Sequence, residues 1–264
     1  MKAMTLAVAA AMSLAALPAA AQTAGDAPAP AAAAPPLDIT IVPCGTHNAD
    51  QEKADAALRD KAFALMQAHD TAGLTRLLPD LEAALARAPD VAPAIERCGN
   101  MINIYTDTMS VYLVEALEVT RRKLPGVSGS VMYPVAPYAR IAWEIGWIYY
   151  EQKNLPKALS AFEKGLRNDP RDPVLAGEYA NALEQSGQNQ LALTFVDKFL
   201  ADNPLLEARP RATMLRRRGY ALGELGQYDE AIAAYTESLK YLPDNAMALN
   251  EITYNKQQKA LHGK

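Results

Sequence analysis

The 264-residue sequence predicts an all-α fold: a solenoid of three repeated helical hairpins and a C-terminal capping helix, after an amino-terminal helical region. Three observations predict it. Short apolar motifs recur at a near-constant step in the carboxy-terminal half. Elsewhere, apolar residues fall at i, i+3 and i+4, the spacing that places them on one helix face. Gly, Pro and Asn punctuate these segments where turns belong. Half the residues are apolar and 21% are charged, enough for a packed core. With 30 acidic against 26 basic side chains, the net charge is −4. The chain as a whole lacks the basic footprint of a nucleic-acid binder. Three histidines (His47, His69, His262) and two cysteines leave little for a metal centre, and no cofactor is implied.

Residues 1–21 read as a signal peptide: Lys2 is the positive n-region, 4–17 the apolar stretch, and Ala19-Ala20-Ala21 the small-residue cleavage site. The run falls short of the ~20 apolar residues of a membrane span, and no transmembrane helix is expected elsewhere. The expectation is an exported bacterial protein, periplasmic or secreted, cleaved near Ala21. Residues 22–37 are Ala/Pro-rich, and proline fixes φ and donates no hydrogen bond, so an extended tether is expected. Export bears on Cys44 and Cys98. In an oxidising compartment two cysteines pair, here closing a loop of about 55 residues worth about 4 kcal/mol. Cys44 and His47 could form half of a metal site, but no second pair completes the usual set of ligands. A disulfide and no metal are therefore expected.

The amino-terminal region, 38–138, carries two helical patterns over 48–70 and 71–88, with Asp70 or Thr71 able to cap the second. Pro79 falls near a first-turn position if that helix starts late. Leu81, Ala84 and Pro89 look like the end of a degenerate repeat, except that Leu77 stands where a small residue belongs. Residues 101–123 read as one further helix, and 126–137, rich in Gly, Ser and Pro, as a loop.

The carboxy-terminal region, 139–264, repeats. Ala158-Leu159-Ser160-Ala161-Phe162, Ala192-Leu193-Thr194-Phe195-Val196 and Ala231-Ile232-Ala233-Ala234-Tyr235 each precede a proline (Pro170, Pro204, Pro243) at one constant distance. The second step exceeds the first by a five-residue insertion. The units are 139–172, 173–206 and 212–245. Ser186-Gly187-Gln188 and Leu225-Gly226-Gln227 mark equivalent turns, replaced in the first unit by Lys153-Asn154, where asparagine would take the left-handed conformation. Ala158, Ala192 and Ala231 fall where paired helices cross, opposite Gly146, Ala180 and Gly219. Small side chains there let backbones approach. Residues 244–261 fit a capping helix that uses Met247, Leu249, Ile252 and Tyr254.

A unit of this length with small, aromatic and proline positions at these offsets resembles the tetratricopeptide repeat. The resemblance implies stacked helical hairpins and a concave surface lined by the first helix of each unit. Its register places Arg140, Trp143, Glu144, Trp147, Tyr150 and Glu151 on that surface from the first unit. The second contributes Glu178, Asn181, Glu184 and Gln185; the third Arg216, Arg217, Tyr220 and Glu224; and the cap Tyr254. The implied partner is a protein or an extended peptide. Asn181 could hold its backbone bidentately, and Arg216 or Arg217 a carboxylate. The family's terminal-carboxylate clamp is not reproduced. A packing role competes for the tryptophans, because the preceding helical region must dock somewhere.

For catalysis, His47 near Asn48 and Asp50, and His69 beside Asp70, are the two places where a histidine stands by an acid, and turn or cap chemistry accounts for both. The preferred reading is a non-enzymatic adaptor or scaffold, by analogy with envelope assembly or secretion. Two others are a periplasmic enzyme with its site in the amino-terminal half and a homo-oligomer formed through the repeats.

Overall fold

A computed structural model describes residues 39–262. The leader at 1–21 and the tether at 22–37 lie outside the described residues. Between them, the described residues form ten helices and a four-stranded sheet. In order these are β1 (Val42–Pro43), α1 (Ala49–Gln67), α2 (Thr71–Arg87), β2 (Ile95–Cys98), β3 (Met101–Tyr105), α3 (Met109–Arg121) and β4 (Gly129–Tyr133). The repeats follow as α4 (Tyr138–Glu151), α5 (Leu155–Asn168), α6 (Pro173–Gln185), α7 (Asn189–Asp202), α8 (Ala208–Glu224), α9 (Tyr228–Tyr241) and α10 (Ala246–His262).

The three repeats pack as their small residues require. Ala158, Ala192 and Ala231 are wholly buried. A Cβ built on Gly146 would stand 2.2 Å from the Phe162 ring, and one on Gly219 would stand 2.7 Å from Tyr235. Both positions therefore need glycine for close approach. The inserted residues before the third unit lengthen α8 at its start, so its helix begins at Ala208, ahead of 212.

Each hairpin turns in the same way. Lys153, Gly187 and Gly226 adopt φ of 60°, 74° and 75°. The next N–H then bonds back into the preceding helix: Asn154 to the Tyr149 carbonyl, Gln188 to that of Leu183, and Gln227 to that of Leu222, each at 2.9 Å. In the first unit it is Lys153 that takes the left-handed conformation. Asn154 instead caps α5 by accepting the Lys157 N–H.

The α1–α2 pair repeats this turn. His69 adopts φ 53°, and Asp70 N–H bonds to the Leu65 carbonyl at 3.0 Å while its side chain caps α2 through Gly73 N–H. Ala62, wholly buried, lies as far before His69 as Gly146, Ala180 and Gly219 lie before their own turns. Both α1 and α2 contact α4, as α4 and α5 contact α6 and as α6 and α7 contact α8. A fourth hairpin therefore stacks in front of the three expected. Aligned on its turn, Leu74 rather than Leu77 takes the small-residue position. Pro79 lies well inside α2, with its ring exposed, and not in its first turn.

Between this hairpin and α4 the structure departs from expectation. The predicted helix over 101–123 divides into β3 and α3, and the predicted loop contains β4. In β3 the alternation Ile102, Ile104 inward and Asn103, Tyr105 outward is a strand period, legible only over five residues. The sheet order is β1-β2-β3-β4, with β1 parallel to β2, β2 antiparallel to β3, and β3 parallel to β4. Ile39, Ile95, Ile102, Ile104 and Val119 form its own small core beneath α3. The Cys44–Cys98 disulfide fastens β1 to β2. Arg121 and Arg122 close α3 by binding Glu118.

The cap also presents a different face. Ala248 and Asn255 are buried, whereas Met247, Leu249 and Tyr254 are about half exposed or more. Ile252 is half-buried, and the small Ala248 is the buried apolar residue of this helix.

Candidate binding groove

The first helices of successive hairpins, α4, α6 and α8, share one row of side chains. Asn181 on α6 donates its Nδ2 to the Tyr150 hydroxyl on α4 at 3.3 Å. One turn further along α6, Glu184 accepts from Arg217 on α8 at 2.9 Å. These two bonds link three helices through residues that the repeat register places together. Tyr220 follows Arg217 on α8 and lines a cavity of about 230 Å³ with Glu224, Glu251 and Tyr254. Glu178, half-buried, lies one turn before Asn181.

Electrostatics differentiates the row. Burial raises the Glu184 carboxyl to about 7 against the opposing pull of Arg217. The Glu184–Arg217 pair is thus committed to holding α6 against α8, and Glu184 is not a free contact. Arg216, half-buried, donates to Thr213 Oγ1 at 3.0 Å. Burial and the neighbouring Arg217 lower its pKa. Arg218 pairs with Asp197 on α7.

The aromatic residues of α4 have a mixed role. Trp143, Trp147 and Tyr150 are partly buried against the core cluster shared by α1, α2, α4 and α5. The Arg140 guanidinium lies 5.0 Å above the Trp143 ring. The amino-terminal hairpin does dock beside the tryptophans, and each keeps part of its surface open.

Glu144 departs most from its expected place. The register put it on the inner surface, yet it is wholly buried, and neither carboxylate oxygen has a hydrogen-bond partner. It lines a cavity of about 320 Å³ bounded by α1, α4, the segment before α3 and the turn between α5 and α6. Burial raises its carboxyl to about 8, with Arg140 and Arg59 opposing. Asp169, in the same wall, is also raised, by burial and then by Asp172. Repeat periodicity does not reveal this pocket, because half its wall comes from outside the repeats. The one signal was the paired acids of Asp169-Pro170-Arg171-Asp172.

The histidines sit in structural positions. Tyr105 stacks on His47 with centroids 3.5 Å apart, while Nδ1 meets Glu52 at 3.0 Å and Nε2 meets the Pro93 carbonyl at 3.3 Å. Burial opposes charging the ring, but Glu52, Pro93 and Glu96 together raise its pKa. His69 forms the α1–α2 turn. Cys44, Glu96 and Cys98 cluster, but the disulfide occupies both sulfurs and leaves no thiolate ligand. No helix among the described residues is long and apolar enough to cross a membrane.

The model of the tetratricopeptide repeat family matches residues 139–172 and 212–245. No curated protein matches the chain. Among solved structures, the first TPR domain of human RPAP3 is 28% identical, covering 47% of this chain and 94% of that one, with a TM-score of 0.43. The first TPR of Spaghetti (RPAP3), solved with the HSP90 peptide SRMEEVD, gives 28%, 47%, 94% and 0.42 in the same order. MamA from MSR-1 is 17% identical over 79% of this chain and 88% of its own, with a TM-score of 0.46.

Proposed function

Starting from a chain that carries tetratricopeptide repeats at 139–172 and 212–245, a family of protein-interaction modules, we propose that it is a non-enzymatic adaptor holding an extended peptide of a protein partner along α4, α6 and α8. The observation that carries this is the continuous row from Trp147 and Tyr150 through Asn181 to Arg217 and Tyr220. Hydrogen bonds fix it across three helices, so its donors and rings are positioned before a partner arrives, which lowers the ordering cost of binding. A peptide laid across the row meets aromatic surface at Trp147 and Tyr220 and an amide at Asn181. The leader expected in residues 1–21 supports a periplasmic setting for this work, and envelope assembly or secretion is the role we propose there.

Capture of partners from a periplasmic extract by the immobilised mature chain tests the reading. Trp147→Ala and Asn181→Ala should each reduce recovery of the captured protein at least about tenfold, the range of a lost interface anchor. Equal recovery by both variants, with folding retained by circular dichroism, would remove the row from the binding surface.

A further inference from the structure

The cavity that Glu144 lines, between α1, α4, the segment before α3 and the turn between α5 and α6, carries charges that do not balance. Asp60, Asp107, Asp169 and Asp172 line it with Glu144, and only Arg59 and Arg140 oppose them. Both cations are already engaged: Arg59 with Asp60 at 2.8 Å, and Arg140 over the Trp143 ring. Three of the aspartates spend one oxygen on backbone N–H groups: Asp107 on Val135, Asp169 on Arg171, and Asp172 on Val174 and Leu175. Glu144 spends none. A buried carboxyl without any partner is costly, and Arg140, one turn away on the same helix, is turned toward the indole instead.

We infer that this cavity seats the basic side chain of the bound peptide, a lysine ammonium or an arginine guanidinium, with Glu144 as its counter-ion. The inference rests on the peptide-binding reading. The volume of about 320 Å³ admits such a side chain, and Phe63 on the rim offers apolar surface to its methylene stem. Entry of the cation drives the proton off Glu144, since the carboxyl otherwise holds it up to about pH 8. Arg59 and Asp60 from α1, Arg140 from α4, Asp107 before α3, and Asp169 and Asp172 beside α6 all face this exchange. Binding therefore releases a proton at neutral pH, and affinity rises as pH approaches 8.

The test uses Nα-acetyl-lysine methylamide and Nα-acetyl-arginine methylamide as probes, with the uncharged norleucine analogue as control, in calorimetry of the mature chain. In buffers of different ionisation enthalpy at pH 7, at least one basic probe should bind and release close to one proton. Its affinity should rise about tenfold between pH 6 and 7, and the norleucine analogue should not bind. Glu144→Gln should lose at least about tenfold in affinity and the proton release. Binding without proton release, equal binding by Glu144→Gln, or no binding of either basic probe overturns the inference. Because the probes are single residues, loss of partner capture by the row variants is scored independently. Probe binding without partner capture would retain the pocket and remove the adaptor reading, and the reverse would remove the pocket alone.

Discussion

Glu144 shows how one residue can set a pH dependence for the whole chain. Folding buries its carboxyl with no hydrogen-bond partner, so the folded state prefers the protonated form up to about pH 8, whereas the unfolded chain releases that proton near 4.5. Between those values the folded state carries the extra proton. Stability from this group therefore falls as pH rises from 4.5 to about 8, and is level above it. Glu144→Gln removes the titration. Urea unfolding of the variant should show a gain of about 2 kcal/mol or more at pH 8.5 and little change at pH 4.5. An equal difference at both pH values would show that Glu144 is ionised in the folded protein. The residue's place in a helix was legible from the repeat. Its burial was not, because α1 and the segment before α3, which close over it, are distant in sequence.

At the level of elements, the hairpin turn is the unit that recurs. Two of its four instances use glycine at positive φ and two use a side chain, His69 and Lys153. An L-residue there is strained by about 1 kcal/mol or more, part of which glycine returns through the entropy of the unfolded chain. The His69 side chain is exposed, so His69→Gly should raise the unfolding free energy by about 0.5–1 kcal/mol, and Gly187→Ala should lower it by about 1 kcal/mol. Thermal melts of the two variants check the pair; a loss from His69→Gly would show that its turn is not equivalent to the other three. Sequence periodicity exposed the three hairpins that keep alanine at the crossing and proline after the second helix. It hid the α1–α2 pair, where Leu74 replaces the alanine and Pro89 falls three residues late, so alignment on the proline displaced the register. It hid the strands for another reason. β2, β3 and β4 span only four or five residues each, and an apolar pattern of that length fits a helix or a strand alike.

For the molecule as a whole, the fourth hairpin decides where the array can begin. Stacked repeats draw their stability from nearest-neighbour interfaces, and an end unit needs a cover for its apolar face. Here α10 covers one end. At the other, α1 and α2 supply Ala62, Leu74, Leu78 and Leu81 to the same cluster that holds Ile141, Ile145 and Ile148 of α4. Polar bonds cross the same boundary: Tyr138 donates to Asp55, itself bound by Arg87, and Tyr149 donates to Glu82. Repeat matches alone would suggest 139–262 as an independent unit. Cutting there bares the isoleucine face of α4, removes Tyr138 together with its acceptor Asp55, frees Tyr149 from Glu82, and opens the wall over Glu144. The fragment 139–262 should therefore self-associate in light scattering, and its urea unfolding should be broad, whereas 39–262 should be monomeric and unfold in one cooperative step. A monomeric 139–262 fragment with the midpoint of the longer chain would show that the α4–α2 interface contributes no stability, and that the array begins at α4.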